Sequence, residues 1–157
     1  MGRELREVPA DWEHPKRENG RYIPLIEGSF SQALSNWEFE EEQWKKGFVQ
    51  SFGSGWKEKD DEHRGYRYED WAGSKPEKDH YMPEWTDQEK THIQLYESTS
   101  EGTPLSPVFA KEDFDKLCEW AAENATTFAN FKATKGEWSK MLKAGFVFHK
   151  KGNTIFL

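Results

Sequence analysis

The chain has 157 residues, a formal charge of −7 and an apolar content of only 34%, set against 15% aromatics that include 8 Trp and 11 Phe. This length fits one domain, and the acid excess disfavours sequence-independent nucleic-acid binding, which draws on Lys and Arg neutralising phosphates. A single cysteine, Cys118, excludes an intramolecular disulfide and a thiolate zinc site, and no stretch approaches the roughly 20 apolar residues of a membrane span.

A core must therefore be aromatic rather than aliphatic, each ring removing about 150–250 Å² from water. Residues 1–10 alternate in charge without the apolar run of a secretory signal. The expectation is one soluble α+β domain over 1–157 in a reducing cytoplasm, with three helices and a short antiparallel sheet that includes a C-terminal hairpin.

Residues 1–28 carry Pro9, Pro15, Gly20, Pro24 and Gly28 at regular spacing, which rules out one long helix or strand. An extended arm is predicted, laying Trp12, Tyr22, Ile23 and Leu25 onto the rest. Ser29-Phe30-Ser31-Gln32 reads as a capping box, opening a helix to about Lys46 with Phe30, Ala33, Leu34, Trp37 and Trp44 at helical spacing and Gly47 as its stop. From 47 to 78 the chain is rich in Gly, Ser and mixed charge, a long and partly mobile surface excursion pinned by aromatics, with short strands or disorder near 53–64.

Thr86 is placed to cap one helical turn near 85–90. His92–Thr99 alternates polar and apolar residues as a half-buried strand does, and Gly102, Pro104 and Pro107 break it. Helices are predicted over 111–124, with Phe114, Leu117, Cys118 and Ala121 on one face, and from a second capping box at Thr134-Lys135-Gly136-Glu137 to Ala144, closed by Gly145. Residues 146–157 read as a hairpin turning near Gly152-Asn153.

The chain carries no catalytic signature, so no catalytic residue, cofactor or metal ligand is expected. His14, His63, His80, His92 and His149 are scattered, with no His-x-x-x-His or Glu-x-x-His pair on a helix. His80, flanked by Asp79 and Tyr81, reads as a surface histidine. Cys118 falls on an apolar stripe, where a thiol behaves as a small hydrophobe. Gly53-Ser54-Gly55 lacks both the Walker lysine and the dinucleotide-binding spacing, and the many carboxylate runs read as solvated faces.

Three surfaces could bind a partner. The first is the acidic, Trp-bearing helix with Glu38, Glu40, Glu41 and Glu42, a row suited to a basic partner. The second is the loop 96–107, where Tyr96, Glu97, Ser98, Thr99, Glu101 and Thr103 gather small polar groups beside Trp12, His14, Tyr81 and Trp85, as a small-ligand pocket requires; the competing reading is a turn whose hydroxyls satisfy their own backbone. The third is the Lys-rich end with Phe146, Phe148 and Phe156, an arrangement single-stranded nucleic acids use.

Residues 6–16 (Arg6-Glu7-Val8-Pro9-Ala10-Asp11-Trp12-Glu13-His14-Pro15-Lys16), Gly20-Arg21-Tyr22-Ile23-Pro24-Leu25 and Tyr81-Met82-Pro83-Glu84-Trp85 through 101–110, together with the closing helix 137–145, resemble a family of small bacteriophage proteins of unassigned function. The resemblance implies a phage or prophage product acting in the cytoplasm of an infected bacterium and supplies no activity. The leading expectation is an accessory protein, not an enzyme, that binds a host or phage macromolecule and inhibits a host process or defence. A nucleotide-like small ligand at 96–107 is the first alternative and nucleic acid at the basic end the second; no membrane association is expected.

Overall fold

The computed structural model describes residues 2–51, 53, 55–98, 102–127, 130–148 and 154–156. The fold is α+β with antiparallel pairing throughout, as expected. The chain expected as one domain divides into two compact units, the second inserted in the first: Met1–Gly28 with Met82–Leu157, and Ser29–Tyr81.

The first unit is built on a sheet of β1 (Arg3–Val8), β4 (His92–Glu97), β5 (Thr103–Pro104), β6 (Phe109–Ala110) and β7 (Thr154–Phe156), with two helices, α3 (Phe114–Asn124) and α4 (Lys135–Phe148). β1 and β4 pair along their full length, Leu5 opposite Leu95, Arg6 opposite Gln94 and Glu4 opposite Tyr96. β5 and β6 share the other edge of β4, and β7 adds to the free edge of β1.

Residues on a strand alternate between faces, so the register sorts them. Leu5, Ile93 and Leu95 meet Leu117, Cys118 and Ala121 of α3 and Trp138 and Leu142 of α4 in the main apolar core. Glu4, Arg6, Val8, His92, Gln94 and Tyr96 take the opposite face, covered by Trp12, Ile23, Leu25, Met82, Trp85 and Val108. β4 is consequently buried on both sides from Ile93 to Tyr96, not half-buried as its alternation implied.

The arm predicted over 1–28 supplies a central strand instead. Its four charges at Arg3, Glu4, Arg6 and Glu7 mask the strand pattern, yet Glu4 and Arg6 are each 2% exposed because they neutralise one another at 2.6 Å. α4 opens on the predicted box, Thr134 Oγ1 accepting from Glu137 N (3.2 Å) and Glu137 Oε1 from Thr134 N (3.1 Å). The helix then runs through Gly145 to Phe148 rather than stopping at the predicted glycine cap. The predicted C-terminal hairpin is corrected by both ends: 146–148 are helical and 154–156 pair with β1. Its turn, 149–153, lies outside the described residues.

The second unit holds α1 (Phe30–Lys45), the hairpin β2 (Phe48–Ser51) and β3 (Gly55–Glu58), a short 3-10 turn (Asp61–His63) and α2 (Tyr68–Ala72). Ser29 caps α1 by accepting from Gln32 N (3.1 Å), and the Gln32 side-chain amide donates forward to Asn36. The excursion thus contains the short strands allowed for it, tied to α1 by Trp44, Val49 and Tyr68. Trp44 Nε1 donates to Tyr66 O, and Trp37 Nε1 to Gly73 O.

Candidate functional site

The site lies in the first unit, on the polar face of its sheet. Pro9 ends β1, and a turn closed by Trp12 N to Pro9 O (3.2 Å) carries Trp12 back over the strands. The chain then reverses near Gly20, which has φ +83, with Lys16 bridged to Tyr22 and Ile23 N donating to Pro15 O. This loop delivers His14 to Tyr96 and leaves it 7% exposed.

The bonds among these rings fix every proton. Trp12 Nε1 can only donate, and it does so to Tyr96 Oη at 2.9 Å. His14 Nε2 lies 2.6 Å from the Ile23 carbonyl, which can only accept, so Nε2 carries hydrogen; Nδ1, 2.9 Å from Tyr96 Oη, receives the tyrosine proton. The neutral tautomer completes a chain from indole to phenol to imidazole to backbone. Burial lowers the His14 pKa below 6.5, with the Arg6 charge acting in the same direction and the bond to Ile23 opposing it. Burial likewise raises the Tyr96 phenol above its ordinary value. The Arg6 guanidinium sits 4.3 Å over the Tyr96 ring and donates to Leu25 O and Glu4.

A bulge forms the opposite wall. Pro104 and Pro107 lack an N–H, so β5 and β6 cannot run on as one strand. Ser106 repairs the gap: its Oγ accepts from Leu95 N (2.9 Å) and donates to Pro107 O (2.8 Å), while its carbonyl accepts from Gln94 Nε2 (2.8 Å). Between this bulge and the 12–22 loop lies an open groove of about 800 Å³, lined by Trp12, His14, Tyr22, Gln94, the Pro104–Val108 run and, at the charged positions, Glu13 and Lys16. That volume lies within the range of small-molecule sites. Gln94 is 7% exposed, and among the described residues its Oε1 has no hydrogen-bond partner.

The predicted pocket residues separate into three groups. Trp12, His14, Trp85 and Tyr96 come together, with the Trp12 and Trp85 rings edge-on at 4.8 Å. Glu97, Ser98 and Thr103 serve the sheet instead: Glu97 lies opposite Thr103 and 3.6 Å from Arg3, and Ser98 N donates to Gly2 O. Tyr81 belongs to the other unit, its ring 5.7 Å from Phe30, and Thr99 and Glu101 lie outside the described residues. Gln94, Tyr22 and Lys16 were missed. Gln94 had a signal, an amide at the centre of a strand, but alternation assigns that position to solvent.

In the second unit the acidic row is largely answered from within. Glu40 accepts from Tyr68 Oη, and Glu41, Glu42 and Glu38 lie 3.5, 3.5 and 3.6 Å from Lys45, Lys46 and Lys75. Burial, then the bond to Glu40, raises the Tyr68 pKa. Beside the row, Phe39 and Trp56 stand exposed with rings 5.9 Å apart, and Tyr66 and Trp71 are exposed too.

Two ligand-like groups, Asp60/Glu62/His63 and Glu77/Asp79/His80, gather their donor atoms within 4.8 Å. Glu77 and His80 thereby form a Glu-x-x-His spacing around a single 3-10 turn, which a search restricted to long helices passes over. His63 Nδ1 is engaged by Asp60 N at 3.1 Å, closing its own turn, and His80 is exposed. Among the described residues no helix is long and apolar enough to cross a membrane. The side chains of the Lys-rich end from 144 onward lie outside the described residues. Comparison with protein-family models, with curated proteins and with solved structures finds no match to the chain.

Proposed function

We propose that the chain is a binding protein that holds a small ligand in the groove between the 12–22 loop and the 104–108 bulge. The observation that carries this reading is the groove itself, about 800 Å³ and walled by Trp12, His14, Tyr22 and the Pro104–Val108 run. The rigid ring network supports it, since a wall whose protons are all fixed presents one shape to an incoming molecule.

Native mass spectrometry of the purified protein, before and after denaturation, tests the reading. A small mass lost on denaturation is expected. A bare protein whose Trp12 fluorescence also ignores a broad metabolite library would refute it.

A second reading, docking of an unknown protein partner, draws on the exposed Phe39/Trp56 and Tyr66/Trp71 rings beside acidic side chains. In the setting implied by the phage resemblance, such a partner would be a host or phage protein whose process the chain inhibits. Replacing Phe39 and Trp56 with Ser should then abolish partner binding and leave ligand binding in the groove untouched.

A further inference from the structure

We propose that the 12–22 loop is a latched wall of the groove, released when His14 takes up a proton; the effect on a ligand rests on the groove reading above, whereas the latch does not. Two kinds of bond hold this loop. Backbone bonds close within it, Arg17 N to Arg21 O, Gly20 N to Arg17 O and Ile23 N to Pro15 O, and residues 15–22 are all exposed. The Trp12 and His14 side chains tie it to the sheet, and both end on Tyr96 Oη at 2.9 Å.

The tie is sensitive to charge because it has a direction. In the neutral ring Nε2–H donates to the Ile23 carbonyl, a bond within the loop, while Nδ1 accepts the Tyr96 proton, the bond to the sheet. Protonation leaves the first intact and reverses the second, since both nitrogens of a charged imidazole are donors. Oη would then accept from Trp12 and His14 at once. Its own hydrogen would have no acceptor among the described residues, on a ring that is 0% exposed.

The surrounding charges also oppose a closed, protonated ring. From β1, Arg6 lies 4.3 Å over the same Tyr96 ring, and the carboxylates of Glu4 and Glu27 are engaged with it at 2.6 and 3.5 Å. Tyr96 of β4 and the rings of Trp12 and Tyr22, 5.8 and 5.5 Å from His14, offer no negative charge. The 104–108 bulge across the groove has no ionisable side chain, and Glu13 and Lys16 stand exposed on the loop itself. The loop moves rather than Arg6, because parting Arg6 from Glu4 would leave a buried carboxylate unpaired. A molecule held between loop and bulge is released in acid.

Nuclear magnetic resonance of the unmodified protein, without ligand, follows loop and core in one titration. Hydrogen exchange of the Trp12 indole N–H reports the latch; that of Trp138, 0% exposed in the core, reports global unfolding. The open loop carries His14 at its ordinary 6.5 and the closed loop at a lowered value. Opening therefore takes up one proton between the two. Corrected for the intrinsic pH dependence of exchange, the Trp12 opening constant is expected to rise about tenfold per pH unit in that window, while Trp138 stays protected. His14→Gln is expected to abolish the slope. A flat opening constant below pH 6.5, a slope kept in His14→Gln, or joint loss of Trp12 and Trp138 protection would overturn the latch. Should His14→Gln fail to fold, the Trp12 slope and its separation from Trp138 on the unmodified protein decide alone. Opening as expected on a protein that native mass spectrometry finds bare upholds the latch and removes only the groove reading.

Discussion

Replacing Gly102 with alanine tests the backbone contact beneath the site. Gly102 has φ +110, its carbonyl accepts from Leu25 N at 3.0 Å, and a Cβ there would stand 1.9 Å from Leu25 O and 2.6 Å from Arg6 Nη2. Relief requires the Leu25 carbonyl to retreat by roughly 1 Å or more, given that non-bonded atoms settle well beyond 3 Å. Two bonds are at stake, Leu25 N to Gly102 O and the charged one from Arg6 Nη1 to Leu25 O at 2.9 Å. Gly28 supplies the control: φ +131 in the same unit, with nothing within 4 Å of its Cβ position. Alanine at either position carries backbone strain of about 1–3 kcal/mol. Gly102→Ala alone adds the loss of one neutral and one charged hydrogen bond, about 2–4 kcal/mol more. Urea unfolding followed by far-UV circular dichroism, with slopes compared to exclude denatured-state changes, measures the difference. Gly102→Ala costing within about 1 kcal/mol of Gly28→Ala, the spread of strain terms at such sites, would refute the contact.

Acid should weaken the first unit through His14. Its folded-state pKa is lowered from 6.5, so the unfolded chain takes up the proton first; stability is intact above pH 6.5 and declines as pH falls from there toward the lowered folded value. Urea midpoints at pH 7.5 and 5.5 should show a decline that His14→Gln reduces. Arg6→Met should cost about 3–5 kcal/mol by leaving the buried Glu4 carboxylate unpaired, read by the same unfolding assay, and a loss under 1 kcal/mol would contradict a buried pair. Trp138 is 0% exposed and its Nε1 has no partner among the described residues. Trp138→Ala should therefore lose about 3–5 kcal/mol, while Trp138→Phe, which removes the orphan donor along with part of the ring, should lose far less in the same titration. Burial raises the Cys118 thiol to about 11, so iodoacetamide at pH 8 should label the native protein negligibly and the urea-unfolded protein completely, as mass spectrometry would record.

Local chemistry made most of the helices legible. Ser29 and Thr134 cap where their hydroxyls predict, and the stripe Leu117, Cys118, Ala121 faces the core. What stayed hidden depends on partners distant in sequence. β1 looks like a charged surface segment until Glu4 and Arg6 are seen to neutralise each other against Leu25 and Tyr96. β7 has no local signal for choosing β1 over a hairpin, because that choice is settled by a free sheet edge roughly 150 residues away. Half of the candidate site was readable because aromatics and histidine announce themselves singly, as at Trp12, His14, Trp85 and Tyr96. Gln94 escaped because an amide in a strand is ordinary until both faces of that strand are covered.

The bond from Met82 N to Ile26 O, at 3.0 Å, bears on how the chain finds its fold. It clasps the two points between which the second unit is inserted. Trp12 and Tyr96 are separated by 84 residues, and β1 must search a loop of that order before it meets β4. Were residues 29–81 to fold first, they would withdraw their whole length from the search and leave little more than a third of it. Closing the shorter loop costs roughly 1 kcal/mol less in entropy. With that order of folding, variants that weaken α1 would slow the formation of a site to which α1 contributes no residue.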